Sequence, residues 1–258
     1  MISASVLVIG ASTASAVFGG MLASAELGYR AGRRMVREVS EESSQVGTIQ
    51  GAILGLLALL LGFSFAAAAA RFIERQDVIV QEANAIGTAY LRADLMDEPD
   101  RSEYRKLLRE YAASRTHLFD AVEAEEGVAA RTVSESLHPQ LWRTAVAGVR
   151  KLPRVDPTIL PPLNEVIDLH TTRTTLMRRH LPVPVVVVLC VIAFVAIAVV
   201  GYGNGLRGRR HFIMTNTLAI LIATVLWISI DLDFPRSGIL QIDQRPMTEL
   251  LKSISATP

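Results

Sequence analysis

The string Val-Gly-Tyr-Gly, at residues 200–203, is the pattern in this chain that most directly suggests chemistry. The same string occurs in potassium-channel selectivity filters, where stacked backbone carbonyls replace the hydration shell of the ion. Here Val199 stands where the filter has a threonine, and the apolar run 183–200 is long enough to cross a bilayer by itself. We therefore expect the end of a helix, at which the glycines of the segment 201–208 supply the turn into the next helix.

Polar side chains also recur within residues 82–94, where we predict a helix. The candidates are Glu82, Asn84, Arg92 and Asp94. Their spacing permits contacts between side chains on neighbouring turns, so we interpret them as a structural polar network. Asp168 and His170 could meet a metal ion, but we interpret them as polar helix surface, and we expect no metal and no cofactor.

Sequence motifs that carry known catalytic chemistry are missing from the chain. It has no Walker loop, no G-x-S-x-G and no H-E-x-x-H, and we predict that it is not an enzyme. A net charge of +1 gives little support for nucleic-acid binding. The single cysteine, Cys190, cannot form an internal disulfide and lies in an apolar run.

Four apolar stretches without charged residues could each cross a bilayer, since about 20 apolar residues are needed. They lie at about 3–25, 47–70, 183–200 and 212–230. The first is followed by an A-x-A-like site, but no basic residue precedes it, so we expect a retained helix rather than a signal peptide. These stretches predict a multi-pass protein of the cell membrane, with the lipid bilayer as its partner.

The second stretch carries small residues at helical spacing. Glycines recur every four residues from 47 to 55, and another follows about two turns later. Few polar groups accompany them; the set is Gly47, Gln50, Gly51, Gly55, Gly62 and Ser64. Small residues let membrane helices approach closely, which predicts a packing surface. The alternative is that the stripe lines a narrow pore. None of the four stretches contains a charged residue, which makes secondary active transport a poor fit.

The order of the segments predicts an all-α membrane protein with four transmembrane helices and an extramembrane helical bundle between spans two and three. We expect transmembrane helices 1 and 2 within 1–70, the bundle at 71–182, transmembrane helices 3 and 4 at 183–230, and a C-terminal tail at 231–258. Within the bundle, span two should continue as one helix to about residue 96. Further helices are expected at about 102–126, 128–151 and 162–181, with a proline-rich connector before the last.

Charge placement bears on orientation. Arginines are concentrated in the loops after spans one and three, which the positive-inside rule places in the cytoplasm. The bundle and both termini would then face outward. Directly after span four come Asp231 and Asp233, and we expect Arg236 to pair with a carboxylate at the membrane surface.

Several blocks together resemble one family. "VGTIQGAILGLLALLLGFSFAAAAARF" runs into "EANAIGTAYLRADLM", and "LNEVIDLHTTR", "GYGNGLRGRRH" and "DLDFPRSGILQIDQRPM" follow. Together they resemble the bacterial bestrophin-like family, over about 46–248. The family name implies kinship with bestrophins, which are pentameric anion channels, although bestrophin pore motifs are not evident here. In bestrophins the segment between spans two and three is cytosolic, which is opposite to the orientation that the arginines indicate.

Two function classes remain open. In the first, copies form a homo-oligomeric ring that conducts ions passively, and the number five comes from the resemblance alone. In the second, the protein is a non-conducting scaffold or sensor whose helical domain binds a ligand or partner. The uncharged spans favour the first, and the large extramembrane segment allows the second.

Overall fold

A computed structural model describes residues 4–35, 42–120, 124–234 and 239–256, and these residues form α-helices joined by short connections. The helices are α1 (Ala4–Arg34), α2 (Glu42–Arg92), α3 (Asp100–Asp120), α4 (Ala124–Lys151), α5 (Asp156–Arg178), α6 (Val183–Leu206), α7 (Phe212–Asp233) and α8 (Arg245–Ala256). The prediction of an all-helical chain is confirmed. So is the prediction that the second apolar stretch continues as one long helix, since α2 has 51 residues and a 3-10 turn follows it.

The chain divides into two compact units. The first comprises residues 1–72 and 180–241, and the second comprises residues 73–179 and 242–258. Among the described residues, three segments are long and apolar enough to cross a membrane: Gln45–Leu95, Pro153–Leu206 and Phe212–Asp233. The stretch predicted at 3–25 is helical from Ala4, but the side chains of its first half lie outside the described set, so the count of four spans stays a prediction.

In the first unit, α1 and α6 approach so closely that side chains are excluded between them. A Cβ atom at Gly28 would lie 1.9 Å from a backbone oxygen of α6, and one at Gly201 would lie 2.1 Å from a backbone oxygen of α1. A Cβ atom at Gly32 or at Gly205 would likewise lie 2.3 Å from a backbone oxygen of the other helix. Each helix thus presents two glycines four residues apart, which is the spacing that brings membrane helices into backbone contact.

This contact corrects the expectation for the segment 201–208. Helix α6 continues to Leu206, so Gly201, Gly203 and Gly205 are helical rather than part of a turn. Gly208 does supply the reversal, with a φ of 65° that side-chain-bearing residues rarely adopt. The prediction was wrong for the first three glycines. At Gly201 and Gly205 the absent side chain permits the backbone contact with α1, whereas Gly203 faces the side chain of Gln50 on α2.

The second unit is a helical bundle with its own apolar core. The buried residues come from α2, α3, α4, α5 and α8, and include Ile86, Tyr90, Leu108, Leu141, Leu163 and Met247. Arg75 is 1% exposed and donates to the carbonyl oxygens of Leu176, at 3.1 Å from Nε, and Arg179. The Leu176 carbonyl also accepts the backbone N–H of Arg179 at 3.2 Å, so Arg75 reinforces the end of α5.

Two helix boundaries differ from the expected ones. Helix α3 ends at Asp120, and Gly127, the expected helix end, lies inside α4. The proline-rich connector was also wrong, because α5 begins at Asp156 and contains Pro161 and Pro162. Pro161 and Pro162 lie beyond the first turn, so they leave the carbonyls of Pro157 and Thr158 without their helical N–H donors.

Candidate functional site

The carboxylates of Asp231 and Asp233, for which the sequence predicted a place at the membrane surface, are buried in the first unit. Asp233 accepts from Arg71 Nε at 3.0 Å and from the backbone N–H of Leu181 at 2.6 Å. Asp231 accepts from the backbone N–H groups of Ile239 and Leu240, at 2.9 and 2.8 Å. The two carboxylates therefore hold the ends of α6 and α7 and the segment after α7. Arg236, the predicted partner, lies outside the described residues.

The predicted polar set of α2 contacts several different partners. Arg92 Nη1 donates to the Thr158 carbonyl at 3.1 Å, and this is the carbonyl that loses its helical N–H to Pro162. Asp94 accepts from Arg105 Nη2 at 2.7 Å in an exposed pair. Asn84 is exposed. A network that includes all four residues therefore stays a prediction, and Glu82 has the richest surroundings.

Glu82 is the centre of a buried charge cluster in the second unit. Its carboxylate accepts from Arg115 Nε at 2.7 Å and from Arg173 Nη1 at 2.6 Å, and Tyr111 donates to it at 3.1 Å. The side chains of Glu82 and both arginines are at most 2% exposed. Gln244, the residue before α8, accepts from Arg173 Nη2 at 3.0 Å. Three helices and the residue before α8 thus contribute to one cluster, which we call the Glu82 cluster: Glu82, Tyr111, Arg115, Arg173 and Gln244.

Protonation in the Glu82 cluster follows from burial and charge. Its groups lie outside the apolar stretches at 47–70, 183–200 and 212–230 that were predicted to cross the membrane. Burial alone would raise the pKa of Glu82, but the guanidinium groups of Arg173 and Arg115 outweigh burial and hold that pKa below its usual value. Burial raises the pKa of Tyr111 well above its usual value. The cluster therefore contains one carboxylate, two guanidinium groups and a neutral phenol at neutral pH.

Two histidines border the Glu82 cluster. The rings of His138 and His170 meet edge to face with centroids 4.7 Å apart, and both lie against Tyr111. Burial, reinforced by Arg115, lowers the pKa of His170 to about 4. Burial also lowers the pKa of His138. Asp168, the suggested metal partner of His170, is exposed whereas His170 is buried. In the part of the chain that the structure describes, no group of three or more His, Cys, Asp and Glu side chains could hold a metal ion.

Helix α2 of the first unit has three distinct faces. The buried face carries Leu57, Leu61 and Ser64. At about 100° per residue, a second face carries large exposed apolar side chains, among them Leu56 and Phe63. The third face carries Gly47, Gly51, Gly55 and Gly62, where an added Cβ atom would meet nothing within 4 Å.

The predicted stripe therefore occupies two faces of α2. Its four glycines share the small exposed face, whereas Ser64 is buried and Gln50 is half-buried. The oxygen of the Gln50 side chain lies 3.4 Å from the position of a Cβ added at Gly203 on α6. The glycine face is exposed within the chain, and its role in helix packing or in lining a pore stays a prediction.

A cleft of about 190 Å³ lies beside the polar end of the first unit. Arg210 spans it, with its guanidinium 4.2 Å from the centre of the Tyr29 ring and 3.1 Å from the Glu26 carboxylate. Thr215, whose hydroxyl accepts from Asn204 at 3.1 Å, also lines the cleft. The positive charge of Arg210 is therefore already matched within the chain.

Comparison with known families identifies the chain. The model of the bestrophin-like domain matches residues 21–247. The chain belongs to the bestrophin-like family. The resemblance seen in the sequence blocks is thereby confirmed. A comparison with curated proteins found no match for this bestrophin-like chain.

Solved structures of bacterial bestrophin homologues share the fold of this bestrophin-like chain. A variant of the homologue from Klebsiella pneumoniae has a TM-score of 0.63 at 15% identity, over 92% of this chain and 96% of that chain. Another structure of the Klebsiella homologue has a TM-score of 0.62 at 17% identity, over 92% and 94% of the two chains. At this identity the likeness establishes a common fold.

Sequence reasoning found Glu82 but missed its partners. Arg115 follows Tyr111 by four residues and Arg173 follows His170 by three, so each arginine shares a helix face with a residue that is buried in the structure. A single arginine on such a face is normally interpreted as exposed. The available signal was the coincidence of one acidic and two basic residues on the inward faces of three helices.

Proposed function

We propose that this bestrophin-like protein is a multi-pass protein of the cell membrane whose copies form a ring that conducts ions passively. Anions are the proposed ions, and five is the proposed number of copies, both by analogy with bestrophins. The proposal places the second unit outside the membrane, counts α1 as a fourth span, and requires no cofactor. Membership of the bestrophin-like family supports transport rather than catalysis.

The observation that carries the proposal is the apolar interior of the first unit. Met21, Leu57, Ile197 and Ile222 belong to a contiguous buried apolar cluster contributed by α1, α2, α6 and α7. An ion that leaves water for such surroundings loses its hydration without compensation. A conduction path through one copy is therefore unfavourable, and a path between copies is required.

The three faces of α2 supply a means of assembly. Large apolar side chains such as Leu56 and Phe63 suit contact with lipid tails. The glycine face permits a close approach by another copy's backbone, which is the main source of helix association in membranes. The same face, in a ring, could border the axial path. Its exposure within one copy supports either arrangement.

The second candidate function is a non-conducting scaffold or sensor. The Glu82 cluster favours this candidate, because Arg115 and Arg173 each have a buried nitrogen without a hydrogen-bond partner. Such atoms are uncommon in proteins and call for an explanation. In this case the second unit would bind a ligand or partner, and the helices of the first unit would serve as an anchor.

Ion flux through purified protein in liposomes separates the two candidates. Liposomes loaded with a chloride-sensitive dye should show chloride entry that increases with protein content. A matched preparation with heat-inactivated protein controls for leakage through disturbed lipid. Absence of flux for anions and cations, at several voltages and pH values, would favour the scaffold.

A further inference from the structure

Hydrogen-bond donors of the Glu82 cluster are left without partners in the protein interior. Arg115 Nη1 and Arg173 Nε are buried and have no hydrogen-bond partner, and the same holds for Gln244 Nε2 and His138 Nε2. Arg115 is 0% exposed and Arg173 is 2% exposed, so bulk water does not reach them. Guanidinium nitrogens can only donate, and they therefore call for an acceptor.

The residues that carry these unpaired donors contact Glu82 directly or through a neighbouring side chain. Arg115 Nε and Arg173 Nη1 are bonded to the two different oxygens of Glu82. Gln244 is held on Arg173 through its side-chain oxygen, which leaves its amide N–H groups free to donate. His138 lies against Tyr111, with ring centroids 5.4 Å apart, and Tyr111 itself bonds to Glu82.

The charges of the cluster do not balance. Two guanidinium groups meet one carboxylate, and Tyr111 and His170 are neutral at pH 7 because burial shifts their pKa values away from that pH. Glu135, the other carboxylate nearby, lies 3.8 Å from His170 and is 56% exposed. An uncompensated buried charge is costly, so a negative ion would supply both the missing charge and the missing acceptor.

We propose that the core of the second unit binds a small inorganic anion of halide size, held by the unused N–H groups of Arg115 and Arg173. Water could accept from these donors, but it would leave the excess positive charge in place. Tyr111, which bonds to Glu82 and lies beside Arg115, is fully buried, and this burial favours a monatomic ion over a carboxylate or phosphate. The proposal does not depend on conduction, since such an ion would be a resident part of the bundle.

Bromide provides a direct test because it replaces chloride and scatters X-rays anomalously. Crystals of the full chain grown in sodium bromide should show an anomalous peak within hydrogen-bond distance of Arg115 or Arg173. Density there without anomalous signal would identify water and overturn the proposal. A map without density at the cluster would overturn it as well.

Thermal unfolding in detergent provides a second, independent test of anion binding with matched variants. The unfolding temperature of the full chain should rise saturably with bromide added to gluconate buffer at constant ionic strength. Arg115→Gln and Arg173→Gln should abolish this rise, and Arg143→Gln, which removes the same charge from an exposed position of α4, should retain it. If the rise persists in both cluster variants, or is absent from the wild-type chain, the proposed site is wrong. Should the cluster variants fail to fold, the anomalous map decides.

Discussion

His170 connects the Glu82 cluster to pH. Its ring is faced by Arg115 and Tyr111 on α3, by His138, Glu135 and Arg131 on α4, and by Glu82 on α2. Of these, the burial of the ring and the positive charge of Arg115 disfavour the imidazolium most. The consequence is a histidine that stays neutral well below the pH at which it would be protonated in an unfolded chain.

We expect the chain to lose stability as the pH falls from about 6.5 to about 4, the ordinary and the shifted pKa of His170. In this range the unfolded chain takes up a proton that the folded chain does not, which costs up to about 1.4 kcal/mol per pH unit. His170→Asn should remove this part of the pH dependence in thermal unfolding experiments. His211→Asn, at an exposed histidine, serves as the control. An unchanged slope in His170→Asn would contradict the assignment.

The limits of sequence reasoning at the residue scale are visible in the same cluster. The acidic residue was recognised because it lies among other polar residues on α2. Arg115 and Arg173 were not, because each is paired across helices that are far apart in sequence. Pairing of this kind depends on which faces meet in the folded bundle, and local spacing does not contain that information.

At the scale of elements, the contact between α1 and α6 is the most demanding packing feature of the first unit. Gly201→Ala places a methyl group 2.1 Å from a backbone oxygen of α1, and only a displacement of the helix can relieve the overlap. Overpacking of this kind costs about 1–3 kcal/mol or more. We expect a clear drop in the unfolding temperature in detergent.

The control for this prediction is Gly19→Ala on α1, where an added Cβ atom meets nothing within 4 Å. It should leave the unfolding temperature close to that of the wild-type chain. Equal effects of the two substitutions would show that helix propensity, rather than the backbone contact, determines the result.

The elements were predictable where a local pattern determines them. The continuation of α2 beyond its apolar stretch followed from a long run without proline. The start of α5 did not, because its prolines suggested a connector, whereas Arg92 compensates the carbonyl of Thr158 from another helix. The glycines of α6 were assigned to a turn because glycine in isolation indicates flexibility as readily as close packing.

Orientation of the second unit is tested by accessibility of a cysteine. Ser136 on α4 is exposed, whereas its neighbour Ser134 is 0% exposed and hydrogen-bonded to Ser114. With Cys190 replaced, Ser136→Cys should be labelled by an impermeant reagent on intact cells if the arginine distribution sets the orientation. Ser134→Cys should resist labelling in the folded protein. Labelling of Ser136→Cys only after lysis would place the second unit in the cytosol.

At the scale of the whole molecule, assembly should depend on the glycine face of α2. A Cβ atom added at Gly51 would meet nothing within 4 Å, so we expect Gly51→Leu to act through contact with a neighbouring copy. We expect a lower assembled fraction by native mass spectrometry in mild detergent. Ala52→Leu makes a similar change on the adjacent exposed face, beside Leu56, and should assemble normally. A wild-type mass of one copy in several detergents would exclude the ring.

The proposal of a passive channel formed between copies is tested most directly by current recordings from purified protein in a planar bilayer. The wild-type chain should give discrete openings whose reversal potential follows the chloride gradient. Gly51→Leu should reduce the number of openings per amount of protein, and Ala52→Leu should not. No openings from the wild-type chain, across both voltage polarities and a range of pH, would contradict the account.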